Sequence, residues 1–194
     1  MKIVVVVGWI EAIVGCMFSG KTEELQRRVR RAEIAGRKVL VVKPAIDDRY
    51  SINGVVSHIG NDIDGIPVCM DKPREILDLL GKGVNVVAID EAQFFYPEIV
   101  GVITALACCD IRVVVAGLNL DFRGEPFGAM PQIMCIADQV TTLHAICMVC
   151  GSEQASRTQR LVDGAPAHYN ERQILIGAEE SYQARCRKHH VVPM

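Results

Sequence analysis

The chain has 194 residues, half of them hydrophobic, with 21 Lys and Arg against 23 Asp and Glu and a formal net charge of −2. That length supports one well-packed core with a small appendage rather than two large domains. Near-neutrality and an aromatic content of 5% argue against a nucleic-acid binder working through a broad basic surface, and no stretch approaches the roughly 20 apolar residues that span a bilayer, so neither nucleic acid nor membrane is an expected partner.

Taken in chain order, Met1 to Val7 reads as an added strand or a loose extension. Lys2 followed by Ile3 to Ile10 resembles a signal peptide, and Ile13-Val14-Gly15-Cys16 resembles a lipoprotein cleavage box. Glu11 interrupts that apolar run, and cleavage before Cys16 would remove Gly15 from the motif that follows, so a cytoplasmic location is expected. Trp9 to Val14 is a predicted strand, and Lys21 to Ala35 a helix stopped by Gly36. Lys38 to Val42 is the next strand, followed by a long loop, Asp47 to Asp64, with no sustained period. Pro73 to Leu80, Pro97 to Ala107 and Met130 to Ala137 are predicted helices, the first two opening on prolines compatible with a first helical turn. Val84 to Ile89, Ile111 to Ala116 and Gln139 to Leu143 are predicted strands. Continuous apolar strands alternating with helices specify an α/β fold, a parallel sheet buried on both faces, in which ligands gather beyond the carboxyl ends of the strands. After His144 the segment becomes polar and Gly-bearing, which divides the chain into 1–144 and a small unit, 145–194.

Residues 15–22, Gly-Cys-Met-Phe-Ser-Gly-Lys-Thr, match the phosphate-loop pattern G-x-x-x-x-G-K-[ST] between a predicted strand and a predicted helix, the setting the motif requires. The glycines let backbone amides fold around phosphate oxygens, Lys21 points its ammonium at the β- and γ-phosphates, and the Thr22 hydroxyl faces magnesium. A nucleoside triphosphate is therefore the expected ligand. Val86-Val-Ala-Ile-Asp90-Glu91 brings paired acids to the end of a strand: Asp90 suits magnesium, and Glu91 suits orienting or deprotonating the attacking group. That pair alone does not separate a kinase from an ATPase or a nucleotide-dependent switch, since Glu91 can activate a sugar hydroxyl or a water. The lack of an N-K-x-D guanine-reading motif disfavours a GTPase. A pure zinc-ribbon binding module would leave both motifs unexplained.

Cys147-x-x-Cys150 with Cys186-x-x-His189 has the spacing of two ligand turns for a tetrahedral zinc, and four protein ligands make such a site structural. His190 adjoins His189, and either imidazole satisfies the spacing. The other cysteines, Cys16, Cys69, Cys108, Cys109 and Cys135, read as reduced and mostly buried thiols. Phe94, Phe95, Phe122, Phe127 and Tyr182 lie near these motifs in sequence and are candidates for stacking on a base. Arg49, Arg123, Arg157, Arg160 and Arg187 are candidates for phosphate contacts.

The stretches Gly15 to Leu25, Lys43 to Tyr50, Asp90 to Phe95, Asp121 to Met130, Cys147 to Gly164 and Tyr182 to His189 together resemble the zinc-containing thymidine kinases shared by bacteria, poxviruses and the animal cytosol. The resemblance runs from Gly8 to His190. It implies transfer of the γ-phosphoryl of ATP to the 5′-hydroxyl of thymidine or deoxyuridine, with Glu91 as the catalytic base and ATP held by Gly15, Cys16, Met17, Phe18, Ser19, Gly20, Lys21, Thr22, Asp90 and Gln93. Thr22 and Asp90 would serve magnesium. It further implies a lasso, roughly Ser152 to Tyr182, closing over a thymine pocket shaped by Met17, Phe94, Phe127, Thr158 and Tyr182, a homotetramer, and feedback inhibition by thymidine triphosphate. Cys16, where the family usually has proline, and Asn119, where it usually has aspartate, depart from the pattern.

Overall fold

The computed structural model describes residues 8–45, 65–174 and 181–194. The expectations for Met1–Val7, for the loop from Asp47 to Asp64 with Arg49, and for positions 175–180 of the lasso lie outside the described residues. Six strands, β1 (Ile10–Gly15), β2 (Lys38–Ala45), β3 (Ile66–Cys69), β4 (Val84–Ile89), β5 (Arg112–Leu118) and β6 (Gln139–Leu143), form one sheet in the order β3-β2-β4-β5-β1-β6. Every neighbouring pair is parallel, so Gly15, Ile89 and Leu118 all end at one edge.

The side-chain period of two divides β1 between two cores. Ile10, Ala12 and Val14 pack with helices α2 (Glu75–Asp78), α3 (Ile99–Cys108) and α4 (Met130–Ile136), whereas Ile13 packs with Leu25, Val29 and Ala32 of α1 (Lys21–Ile34). These α1 residues recur at helical spacing and present one apolar stripe to the sheet. Full burial of a side chain such as Leu25 contributes about 2 kcal/mol. Glu11 also faces α1, and Arg28 of α1 at 2.5 Å and Arg112 of β5 at 2.6 Å pair with it. Gly36 ends α1 as expected: at φ 73° its N–H bonds Glu33 O while Arg37 N–H bonds Ala32 O, a Schellman closure.

A second sheet, β7 (Arg157–Val162), β8 (Ala165–Pro166) and β9 (Ser181–Arg185), is antiparallel in the order β8-β7-β9. Its hairpin turns at Asp163 and Gly164, with φ of 50° and 77°, the two positive values that a type I′ turn requires.

The structure departs from the sequence expectations in four places. β3 is an unpredicted edge strand, disguised by its shortness and by Pro67, which an edge tolerates. β2 runs on through Pro44 because β4 pairs with it only as far as Val42, leaving no ladder bond on that side for proline to break. The helix expected over Pro73 to Leu80 contracts to the single turn of α2, flanked by i→i−3 bonds such as Ile76 N–H to Pro73 O at 3.2 Å. Of the five cysteines outside the metal motif only Cys16 is buried: Cys69, Cys108, Cys109 and Cys135 are exposed, because they lie at element ends or on outward helix faces. Among the described residues no helix is long and apolar enough to cross a membrane.

Candidate active site

The phosphate loop leaves β1 at Gly15, where an added Cβ would lie 2.5 Å from Leu143 O and from Ser19 Oγ. A glycine is required there by close approach alone. The loop closes through Gly20 at φ 82° and enters α1, whose first-turn amides carry the positive end of the helix dipole. Lys21 is buried and its Nζ donates to Cys16 O at 2.9 Å, inside the loop it serves. Burial pulls its ammonium below the ordinary lysine value, against the nearby charges of Glu91 and Asp90. Met17 N–H, an amide of the same loop, donates to Thr158 Oγ1 of β7 at 3.0 Å. Phe18 holds a left-handed φ of 64° and is half exposed.

Two strands away, Asp90 follows β4, and Thr22 Oγ1 donates to its Oδ2 at 3.2 Å. These are adjacent hard oxygen donors, the set a magnesium ion accepts. Burial and the neighbouring Glu91 charge push the Asp90 carboxyl up to about 6. Glu91 stands in the left-handed region at φ 49°, capping a 3-10 turn over Ala92–Phe94. That turn aims Phe94 at Phe127, edge to face, with ring centroids 5.7 Å apart. Thr158 and Arg160 alternate onto one face of β7, and Tyr182 lies directly across from Arg160 on β9, hence on the same face. Met17 and Thr158 are joined at the edge where Asp90 and Glu91 emerge, and Phe94 and Phe127 pack against each other beyond the end of β4. Gln93, expected to contact ATP, is 2% exposed, and its amide bonds Glu91 and the Leu118 N–H.

The arginine candidates divide. Arg123 donates to Tyr169 O and Glu171 O and sits between the Phe122 and Tyr169 rings, and buried Arg160 lies over Phe122 and donates to Arg172 O at 2.6 Å. Both tie the 121–126 loop and β7 to the stretch 169–172, a bracing role the sequence motifs did not signal. Buried Asp121 joins them, accepting from Gln173 Nε2 at 2.9 Å and from the Arg123 and Glu125 amides. Arg157 lies nearer the loop. Burial and the charge of Arg187 push its guanidinium below the ordinary value, and Cys16 is close enough to oppose that shift.

The ligand atoms of Cys147, Cys150, Cys186 and His189 lie within 4.8 Å of one another. The Cys150 and Cys186 sulfurs are 4.0 Å apart, and His189 Nδ1 is 3.3 Å from Cys186 Sγ and 3.7 Å from Cys147 Sγ. These are the edges of a tetrahedron with metal–ligand bonds of about 2.0 to 2.3 Å, and are far too long for a disulfide. Backbone amides, that of Cys186 foremost, hold the Cys147 thiol down to about 5, in the thiolate range that metals bind. The neighbouring imidazole is engaged elsewhere, with His190 Nε2 donating to Phe122 O at 2.8 Å. Beneath the cluster, Cys16 packs with Ala145, Cys147, Ala155 and Ala184, and its Sγ–H donates to Ala155 O at 3.3 Å. The phosphate loop thus shares a small core with the metal-binding segment.

A phosphate loop at the carboxyl edge of a parallel sheet, with an acid pair at the end of a strand two places away and a Cys3His cluster packed over the loop, defines an α/β enzyme of the phosphoryl-transfer class. A family model described as thymidine kinase matches residues 8–190. A curated thymidine kinase from Coprothermobacter proteolyticus is 55% identical over 193 residues, spanning 100% of this chain and 96% of that one. The chain belongs to the thymidine kinase family.

Proposed function

We propose that this protein transfers the γ-phosphoryl of magnesium-ATP to the 5′-hydroxyl of thymidine or deoxyuridine. The observation that carries this reading is the junction of the phosphate loop, Asp90-Glu91 and the Phe94–Phe127 wall at one sheet edge, in a chain of this family. Gly15 to Thr22 hold the triphosphate by backbone amides and by Lys21, while Thr22 and Asp90 would hold magnesium, which would supply positive charge to offset that of the triphosphate. Glu91 accepts the hydroxyl proton as that oxygen attacks phosphorus and the bond to the β,γ-bridging oxygen breaks, releasing ADP. Met17, Phe94, Phe127, Thr158 and Tyr182 surround the thymine, and the segment from Ser152 to Tyr182 closes over it, excluding water from the transfer.

Cys147, Cys150, Cys186 and His189 would hold a structural zinc, which would supply a rigid crosslink rather than a reactive centre. Residues 1–144 and 145–194 act as a nucleotide-binding unit and a zinc-and-lasso unit. We read the protein as cytoplasmic and homotetrameric. Thymidine triphosphate inhibits it by seating its base in the pocket and its phosphates toward the donor site.

Incubation with magnesium-ATP and, separately, thymidine, deoxyuridine, deoxycytidine, deoxyguanosine or no acceptor is the test. Thymidine monophosphate should dominate. Hydrolysis of ATP that needs no acceptor and yields no nucleoside monophosphate would replace the kinase by an ATPase or nucleotide-dependent switch.

A further inference from the structure

The carboxylate of Glu91 is not simply exposed at a strand end. Gln93 Nε2 donates to Glu91 Oε2 at 2.5 Å, and at the other end of the same amide Gln93 Oε1 accepts the Leu118 N–H at 3.0 Å, where β5 ends. The amide has one usable orientation, because the backbone N–H demands an acceptor and the carboxylate demands a donor. Its surroundings are close. A Cβ on Gly117 would fall 2.7 Å from Gln93 Oε1, and a Cβ on Gly128, which has φ +51°, would fall 2.2 Å from Gln93 O. Gly117 thus leaves room for the glutamine side chain and Gly128 for the backbone that carries it, and the glutamine reaches an acid whose own backbone is left-handed.

We propose that Gln93 is a positioning residue for Glu91, clamping one carboxylate oxygen to the end of β5 so that the other is presented to the acceptor hydroxyl. This rests on the reading of Glu91 as the base. The clamp also links that oxygen to the loop carrying the aromatic wall, because Phe127, next to Gly128, donates its N–H to Asn119 O just beyond Leu118. The base and the pocket wall are referred to the same strand end. A base free to rotate loses the near-attack geometry, and such misplacement lowers turnover by about 10²-fold without weakening ground-state binding.

The test is a double-mutant cycle in the full chain. Gln93→Met keeps the volume and removes both hydrogen bonds, and Gln93→Glu keeps the shape and sets a second carboxyl against Glu91. Each is expected to lower kcat by about 10- to 100-fold with KM for thymidine and for ATP within about twofold of the parent. In a Glu91→Gln background neither should change the residual kcat by more than about twofold, because a residue acting through Glu91 has nothing left to act on. The proposal is overturned if Gln93→Met retains kcat within about threefold of the parent, or lowers the residual rate as strongly when Glu91 is already absent. Thermal unfolding and magnesium-ATP affinity verify that each variant is folded, and Gln93→Glu carries the same comparison if Gln93→Met does not fold. Near-parental turnover of Glu91→Gln itself would instead remove the base assignment, a different failure from an inert Gln93.

Discussion

At the scale of single residues, Asp90 and Glu91 are adjacent acids with different surroundings, and the proposed mechanism uses that difference. Glu91→Gln is expected to retain ATP binding and to lose about 10²- to 10⁴-fold in kcat, since a neutral amide accepts no proton; single-turnover rates with equilibrium ATP titration check this. Asp90 is raised from 3.8 to about 6 by burial and by Glu91, so protons compete with magnesium there. The magnesium concentration for half-maximal rate should climb as pH falls through about 6, measured by magnesium titration at a series of pH values. For stability, a raised folded-state value favours the folded chain below pH 3.8, and that advantage disappears as pH rises through about 6. Asp90→Asn should therefore raise the melting temperature at pH 7.5 and change it little near pH 4, while abolishing turnover. An equal shift at both pH values would refute the electrostatic account.

At the scale of elements, β1, α1 and β5 are joined by a buried charge. Burial alone would raise the Glu11 carboxyl, but Arg112, the Trp9 indole N–H and Arg28 donate to it and hold it below the ordinary value of 4.5. A depressed value means that its stabilising contribution is present above the ordinary range and is lost as pH falls through the depressed one. Glu11→Leu leaves Arg28 buried without that partner and is expected to cost about 3 kcal/mol or more near pH 7, less below pH 4, by urea unfolding. β7 touches the phosphate loop through the Thr158 hydroxyl, which accepts Met17 N–H. Thr158→Val keeps the shape but leaves that amide without its acceptor, an expected loss of about 1–3 kcal/mol that Thr158→Ser restores.

Across the whole molecule, the metal-binding segment and the phosphate loop lean on one another. Cys16 sits in the core under Cys147, and residues 155 and 158, soon after the Cys147-x-x-Cys150 turn, hold Cys16 and Met17. Metal analysis should find about one zinc per chain, with content falling toward zero in the Cys147→Ser/Cys150→Ser double variant. Stripping the metal should weaken ATP as well as thymidine binding, since the loop loses its support. By linkage, saturating magnesium-ATP should slow zinc loss to a chromogenic chelator. Zinc release at the same rate with and without nucleotide would refute this coupling.

Local chemistry alone determined much of this protein. The phosphate loop, the strand running into Asp90-Glu91, the Gly36 stop of α1, the central strands and the paired Cys-x-x-Cys and Cys-x-x-His turns were all readable, because each depends on residue type at short spacing. The Asp163-Gly164 hairpin and strands β7, β8 and β9 became visible only once folded. What the tertiary structure decided are matters of long-range proximity. His189 faces the thiols while His190 bonds Phe122 O, a choice spacing left open. Arg123 and Arg160 brace backbone carbonyls instead of pointing at phosphate, and four of the five other cysteines lie at the surface. Gln93 stands between Glu91 and Leu118, residues brought together only because β4 and β5 are neighbours in the sheet. A sequence pattern records which groups a residue offers, and only packing across distant strands decides which of those groups they meet.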